Sequence, residues 1–249
     1  MLKLINILIL TAFIYIFSFN NLHDYNGKLN TPAIIENNNI IFNYTSIEKE
    51  IINLLTLNSN QLTTIINRNI SLPKDYIPED LITPNINLVG YEHEPRSKIR
   101  KIMENDLTNM FNDANANDFN LFLLCGYRSY SEQEYLYNKE LKNTNERYTD
   151  LVAPPGHSEH QLGLAIDVTI PELDFFLDES FEKSNAFLWL ENNSHKYGFI
   201  LRYPKGKEDI TGYAYEPWHF RYVGSKIIST YCFENNLSLE EIFIKLNIR

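Results

Sequence analysis

Cysteine is scarce in this chain, with only Cys125 and Cys232 among 249 residues. The two stand far apart and match no CxxC-type metal spacing, which excludes a thiolate-cage metal site. Two readings of the pair stay open: buried small hydrophobes, or a disulfide if the domain lies in an oxidising compartment. Positive charge is also short. Against 32 acidic residues there are 22 Lys and Arg, a formal charge of −10, and the basic residues are scattered. Without a basic patch there is no footprint for phosphate backbones, so a nucleic-acid partner is excluded. Internal repeats are absent as well. Apolar residues are not lacking: a hydrophobic fraction of 44% and an aromatic fraction of 13% can build a real core, which excludes wholesale disorder.

The first 22 residues differ from the rest. After Lys3, the run Leu4 to Leu22 carries no charge, and Ile7 to Phe19 is almost wholly apolar. A short positive region followed by an apolar one is the pattern of an export signal. As a helix, Leu4 to Phe19 spans roughly 24 Å, somewhat less than a ~30 Å bilayer core. Phe17, Ser18 and Phe19 fit an A-x-A-like cleavage site badly, so an uncleaved anchor is favoured over a removed signal peptide. Residues 1–22 are therefore expected to export the chain, leaving it membrane-anchored or secreted outside the cytoplasm. Residues 23–67 are expected to form a partly helical spacer, with Thr45 and Glu48 as a capping box. Residues 68–249 hold every motif with chemical content.

Within that segment, Ile99, Ile102, Met103, Leu107, Met110 and Phe111 recur at helical spacing, which predicts a helix from about Arg96 to Asn115. Leu121 to Cys125 reads as a buried strand, ended by Gly126, and Ser131 opens a second helix. Gly163 to Thr169 alternates: Leu164, Ile166 and Val168 face the core, while Gly163, Ala165 and Asp167 face the other way. The small residues on that second face are expected to leave room above the sheet. Ser184 caps a helix ending near Gly198, Phe199 to Tyr203 and Trp218 to Val223 read as strands, and Ser238 and Glu241 form a capping box for the last helix. The order of elements predicts an α+β domain around a small antiparallel sheet flanked by helices, preceded by the N-terminal apolar helix.

Two of the six histidines keep unusual company. His160 precedes Asp167 by seven residues, and His219 follows Glu216 by three. Zinc takes imidazole nitrogen and carboxylate oxygen, and a catalytic site uses three protein ligands with a fourth place for water. His160, Asp167 and His219 would supply the three, and Glu216 would take a proton from the activated water. Pro217 must bend the chain, because in a straight strand Glu216 and His219 would point to opposite faces.

Taken together, these segments resemble one family. Ser158 to Asp167 matches S-x-H-x-x-G-x-A-x-D of the VanY-type D-alanyl-D-alanine carboxypeptidases, and Glu216 to His219 matches their E-x-W-H. Gly126-Tyr127-Arg128-Ser129-Tyr130 followed by Gln133 is similar to their G-Y-R-S-Y-x-x-Q, and Leu72 to Leu81 looks like the start of their catalytic domain. The resemblance runs from about Arg68 to Val223. It implies a hedgehog-like α+β fold and one zinc per chain on His160, Asp167 and His219, with Glu216 as base. It further implies that Arg128 binds the substrate carboxylate or steadies the oxyanion. Ser158 and Gln133 are expected to contact substrate, and so is Ser129, for which a turn-forming role is an equal reading. Tyr130 reads equally as cleft wall or packing.

The expected reaction is hydrolysis of the C-terminal D-alanine from peptidoglycan stem peptides by a metal-activated water, at a D,D bond or alternatively an L,D bond. The competing readings are an endopeptidase of the same fold and a non-catalytic wall-binding module. A monomer is expected, touching the membrane through the N-terminal segment if that is uncleaved. His157, His93 and His195 are read as structural, and His23 lies outside the domain. Trp218 and Phe220 are read as core, and Arg202 and Tyr203 either as cleft lining or as a solvated strand end.

Overall fold

The computed structural model describes residues 33–36 and 39–248. The apolar run Leu4 to Leu22 lies outside them; among the described residues no helix is long and apolar enough to cross a membrane. A hairpin of β1 (Ala33–Glu36) and β2 (Asn39–Phe42) comes first. Helix α1 (Ser46–Leu57) opens on the Thr45–Glu48 capping box, with both reciprocal hydrogen bonds made, and closes on Asn58 in the left-handed conformation. It buries Ile51 and Leu55.

The short strands β3 (Leu81–Ile82) and β4 (Ile99–Arg100) pair antiparallel, with Ile82 opposite Ile99. That pairing corrects the expected helix start near Arg96. Ile99 is buried as a strand residue, and α2 runs over Glu104–Ala116 only, burying Leu107, Met110, Phe111 and Ala114. Upstream of residue 104, Ile102 is exposed, and Met103 is buried from a single 3-10 turn, Lys101–Met103.

The central sheet has the order β5 (Phe122–Cys125), β6 (Ala165–Thr169), β8 (His219–Tyr222), β7 (Phe199–Leu201), antiparallel throughout. Between β5 and β6 runs α3 (Tyr130–Thr144), and α4 (Asn185–Asn193), capped by Ser184, precedes β7. A single turn, α5 (Glu208–Thr211), precedes β8, and α6 (Lys226–Glu234) and α7 (Leu239–Lys245) follow it. The α+β expectation, helices around a small antiparallel sheet, is met.

One sheet face buries Ile166, Val168, Phe199, Phe220 and Tyr222 in a core with Leu107 and Met110 of α2 and Phe187 and Leu190 of α4. The opposite face is divided. Ile200 joins Ile51 and Leu55 of α1 with Ile228, Leu239 and Ile242 of α6 and α7 in a second apolar cluster. Part of the stretch read as spacer, α1, is thus packed into the body. The rest of that face carries the candidate chemistry. At ~25 cal/mol per Å², covering both faces is what makes so short a sheet stable.

Candidate active site

Strand register brings the donors together. Cys125 on β5 lies opposite Asp167 on β6, and Asp167 lies opposite His219 on β8, so the three form a row across the sheet. His160 arrives from a tight turn. The Ser158 hydroxyl accepts from the His160 N–H and opens the turn Glu159–Leu162, which Gly163 closes at φ +68°. A Cβ there would lie 3.0 Å from Arg100 Cγ and 3.1 Å from Leu81 Cδ2. Gly163 is therefore packed against β3 and β4, and does not open space for an ion as its place in the alternation suggested.

The bend demanded at Pro217 is present. The His219 N–H donates to the Glu216 carbonyl at 3.2 Å, which curls the chain before β8 begins. His219 Nδ1 consequently lies 3.4 Å from Glu216 Oε2 and 3.1 Å from Asp167 Oδ1. On the other side, His160 Nε2 lies 3.1 Å from Asp167 Oδ2. His160 Nδ1 stands 2.7 Å from the Gly126 carbonyl. A carbonyl only accepts, so Nδ1 carries a proton and Nε2 is the nitrogen left for a metal.

This donor set fits a zinc ion. Ligand bonds of ~2.0–2.2 Å in tetrahedral geometry put neighbouring donors about 3.3 Å apart, close to the 3.1 Å between each histidine nitrogen and the Asp167 oxygen that it faces, Oδ2 for His160 and Oδ1 for His219. Asp167 Oδ1 is moreover fully buried without a hydrogen-bond partner, so its contact with His219 has the distance of a hydrogen bond and not the alignment. An orphaned buried carboxylate oxygen is costly unless a cation answers it.

Electrostatics point the same way. Burial opposes ionisation of Asp167, yet His160 and His219 beside it hold its carboxyl well below the usual range. Burial also works against a charged His160, but Asp167 prevails and pushes it up to about 10. Glu216 has no such partner in excess. Burial pushes its carboxyl up to about 7, against the pull of His219.

Arg128 sits at the edge of the row. Its Nη1 donates to Gln133 Oε1 at 3.1 Å, and its Nη2 lies 3.2 Å from Cys125 Sγ and 3.4 Å from Asp167 Oδ2. Gln133 is buried and also donates to the Ala153 carbonyl, so it braces the guanidinium while bordering the cleft. The cleft, of about 350 Å³, is lined by Arg128, Ser158, His160, Asp167, Glu216 and His219, with Tyr203, Tyr213 and Trp218 as aromatic wall. Leu136, Lys139, Glu140 and Asn143 also line it. These four fall on one face of α3, but their mixed chemistry gives no periodic signal before the helix is placed.

Several residues stand elsewhere than expected. Ser129 accepts from the Glu132 N–H and caps α3, outside the cleft lining. Tyr130 packs against Gly156 and under Lys74, away from the cleft. Trp218 packs against the core as read and also borders the cleft, and Phe220 is core. Tyr203 lines the cleft with its ring 4.8 Å from that of His219, while Arg202 is completely buried and belongs to neither reading offered for it. Among the other histidines, His157 Nδ1 contacts the Asn67 carbonyl, and His195 stacks on Phe233.

The two cysteines are free and buried, which removes the disulfide. Cys125 is more than a small hydrophobe. Its sulfur and donors of His160 and Asp167 all lie within 4.8 Å of one another. Burial disfavours its thiolate, but Arg128 and His160 outweigh that and lower its pKa. A lone Cys without CxxC spacing offered no signal for this.

A model of the VanY D-alanyl-D-alanine carboxypeptidase family matches residues 96–225. YodJ of Bacillus subtilis (strain 168) is 40% identical over 190 residues, which cover 76% of this chain and 69% of YodJ. Among solved structures, the LD-carboxypeptidase LdcB superposes with a TM-score of 0.70 at 40% identity, over 75% of this chain and 87% of LdcB. A mutant of the vancomycin-resistance D,D-pentapeptidase VanY, solved in complex with Zn(II), gives a TM-score of 0.57 at 29% identity, over 73% of this chain and 98% of that one.

Proposed function

Because the chain belongs to the VanY family of D-alanyl-D-alanine carboxypeptidases, we propose that it is a zinc-dependent carboxypeptidase removing the C-terminal D-alanine of peptidoglycan stem peptides. The observation that carries this reading is that His160 and His219 each face the Asp167 carboxylate, with Glu216 on the cleft side and Arg128 beside it. The chemistry a zinc ion supplies when bound there is Lewis-acid polarisation of a water and of the scissile carbonyl.

The chain's own residues do the rest. Glu216, with a carboxyl poised near pH 7, accepts the proton of the attacking water and delivers it to the departing amine of D-alanine. His160 and Asp167 hold their geometry through the Gly126 carbonyl and the Arg128 guanidinium. Arg128 offers a planar, permanently charged fork to the terminal carboxylate or to the charge developing on the carbonyl oxygen. Its hydrogen bond to Gln133 steadies that fork at the edge of the cleft. Ser158 borders the same cleft as a substrate contact.

A second specificity has its own support. LdcB, the LD-carboxypeptidase, superposes at the TM-score of 0.70 given above, which favours a tetrapeptide stem cut at an L,D bond. The deciding experiment incubates the zinc-loaded chain with defined tri-, tetra- and pentapeptide stems and measures released amino acid by mass. D-alanine from the pentapeptide supports the D,D reading, and from the tetrapeptide the L,D reading. Cleavage inside cross-linked stems identifies an endopeptidase, and binding without cleavage a wall-binding module. Such substrates lie outside the cytoplasm, in line with export through residues 1–22; fractionation of cells expressing the full chain tests that placement.

A further inference from the structure

Each ligand histidine has a second ring nitrogen, and the fate of that nitrogen decides whether the first can bind a metal. For His160 the Gly126 carbonyl settles the matter. His219 is different. Its Nδ1 faces Asp167 and Glu216 and is the nitrogen turned to the metal position, and a nitrogen that binds a metal leaves the ring proton on the other, Nε2, which is fully buried and has no hydrogen-bond partner. The nearest carboxylate oxygen to it is Glu159 Oε2, at 3.8 Å, which is likewise buried and unpartnered. Closing that gap by about 1 Å makes an N–H···O bond of ordinary length.

Glu159 is held as few surface carboxylates are. It is completely buried, and its Oε1 accepts from Arg202 Nε and Arg221 Nη1, each at 2.7 Å. Arg202 turns its other edge to Glu240 of α7 in a two-bond fork of 2.8 and 2.7 Å. Arg221 spends Nη2 on the Leu62 and Thr64 carbonyls, at 2.9 and 3.0 Å. Two arginines and two glutamates thus form a neutral buried quartet. Such a set costs several kcal/mol of desolvation per ion, and apolar side chains of the same volume would stabilise the fold as well or better. What apolar side chains cannot do is hold a carboxylate oxygen against His219.

We propose that Glu159 is a positioning residue for zinc: its Oε2 accepts a hydrogen bond from the His219 Nε2–H, which fixes the tautomer and ring orientation that present Nδ1 to the metal. Arg202, Arg221 and Glu240 keep the carboxylate in place. Outer partners of this kind tune metal affinity by ~10- to 100-fold. The inference rests on the reading of His160, Asp167 and His219 as ligands, and its test is independent of any peptide substrate.

Zinc affinity is measured by competition with a chromophoric chelator for the full chain and for Glu159→Gln, with circular dichroism as the check on folding. The expected result is one tight zinc in the wild type and ~10- to 100-fold weaker binding in the variant. In parallel, nitrogen-15 histidine spectra of the zinc-loaded wild type should show the His219 Nε2 proton shifted downfield and protected from exchange. The variant should lose both features. A wild type that takes no zinc overturns the ligand reading together with this inference. A wild type and a Glu159→Gln chain that bind zinc equally overturn the inference alone. If Glu159→Gln does not fold, the wild-type spectrum decides, and a His219 Nε2 proton that exchanges freely with water overturns it.

Discussion

Glu216 and His219 stand 3.4 Å apart, yet replacing each should fail differently. Glu216→Gln keeps volume and a hydrogen bond but cannot accept a proton, so the chain should remain folded and zinc-loaded with turnover lowered ~10²- to 10⁴-fold. His219→Ala removes a donor and should lower zinc occupancy along with the rate. Metal content and turnover measured on both variants separate base from ligand; a Glu216→Gln chain that loses its zinc would reverse the assignment. Arg128→Lys keeps the charge and loses the fork that engages Gln133 and Asp167. It should reduce kcat/KM about 10- to 100-fold with zinc retained, and unchanged turnover on stem peptides would take Arg128 out of the site. Spacing and donor chemistry singled out His160, Asp167, His219 and Glu216, and the resemblance to the VanY-type carboxypeptidases assigned their roles. Glu159 and Cys125 were not visible, because a Glu beside a motif His and an isolated Cys acquire meaning only when burial and strand register are known.

Ser129 poses its question at the level of the helix it begins. Its hydroxyl satisfies the Glu132 N–H at the mouth of α3, the helix whose Gln133, Leu136 and Lys139 border the cleft. Ser129→Ala should therefore cost about 1 kcal/mol of stability, read from chemical denaturation, with KM for stem peptides little changed. A large rise in KM without loss of stability would return Ser129 to the substrate contacts. Caps of this kind were readable in advance at Thr45, Ser184 and Ser238, where the local sequence dictates the local hydrogen bond. The start of α2 was not readable. Ile99 and Met103 keep helical spacing, and only the partner strand at Leu81–Ile82 reveals that Ile99 is extended. The same limit applies to β5, β6 and β8: each strand was legible, but the row formed by Cys125, Asp167 and His219 depends on registers that no single strand encodes.

For the whole molecule, metal and proton compete. Asp167 raises the pKa of His160 against the effect of burial, so in the metal-free chain that site holds a proton throughout the neutral range. Zinc must displace it, and affinity should therefore rise with pH, about tenfold per unit for each proton released. Chelator competition at several pH values between about 6 and 8 checks this, and a pH-independent affinity would mean that His160 is already neutral. The quartet behind His219 has a different consequence, one of timing. It joins parts of the chain that are remote in sequence: Arg221 reaches back 159 residues to Leu62, and Asn67 reaches forward 173 residues to Glu240. Contacts of such span form only after their loop-closure entropy has been met, which places them late in folding. A nascent chain still missing α7 has Arg202 without Glu240, so His219 has no rigid backing while synthesis is under way. Metal capture should then be the last event in the life of the folding chain, and in refolding from denaturant zinc uptake should follow the slowest phase and never precede it.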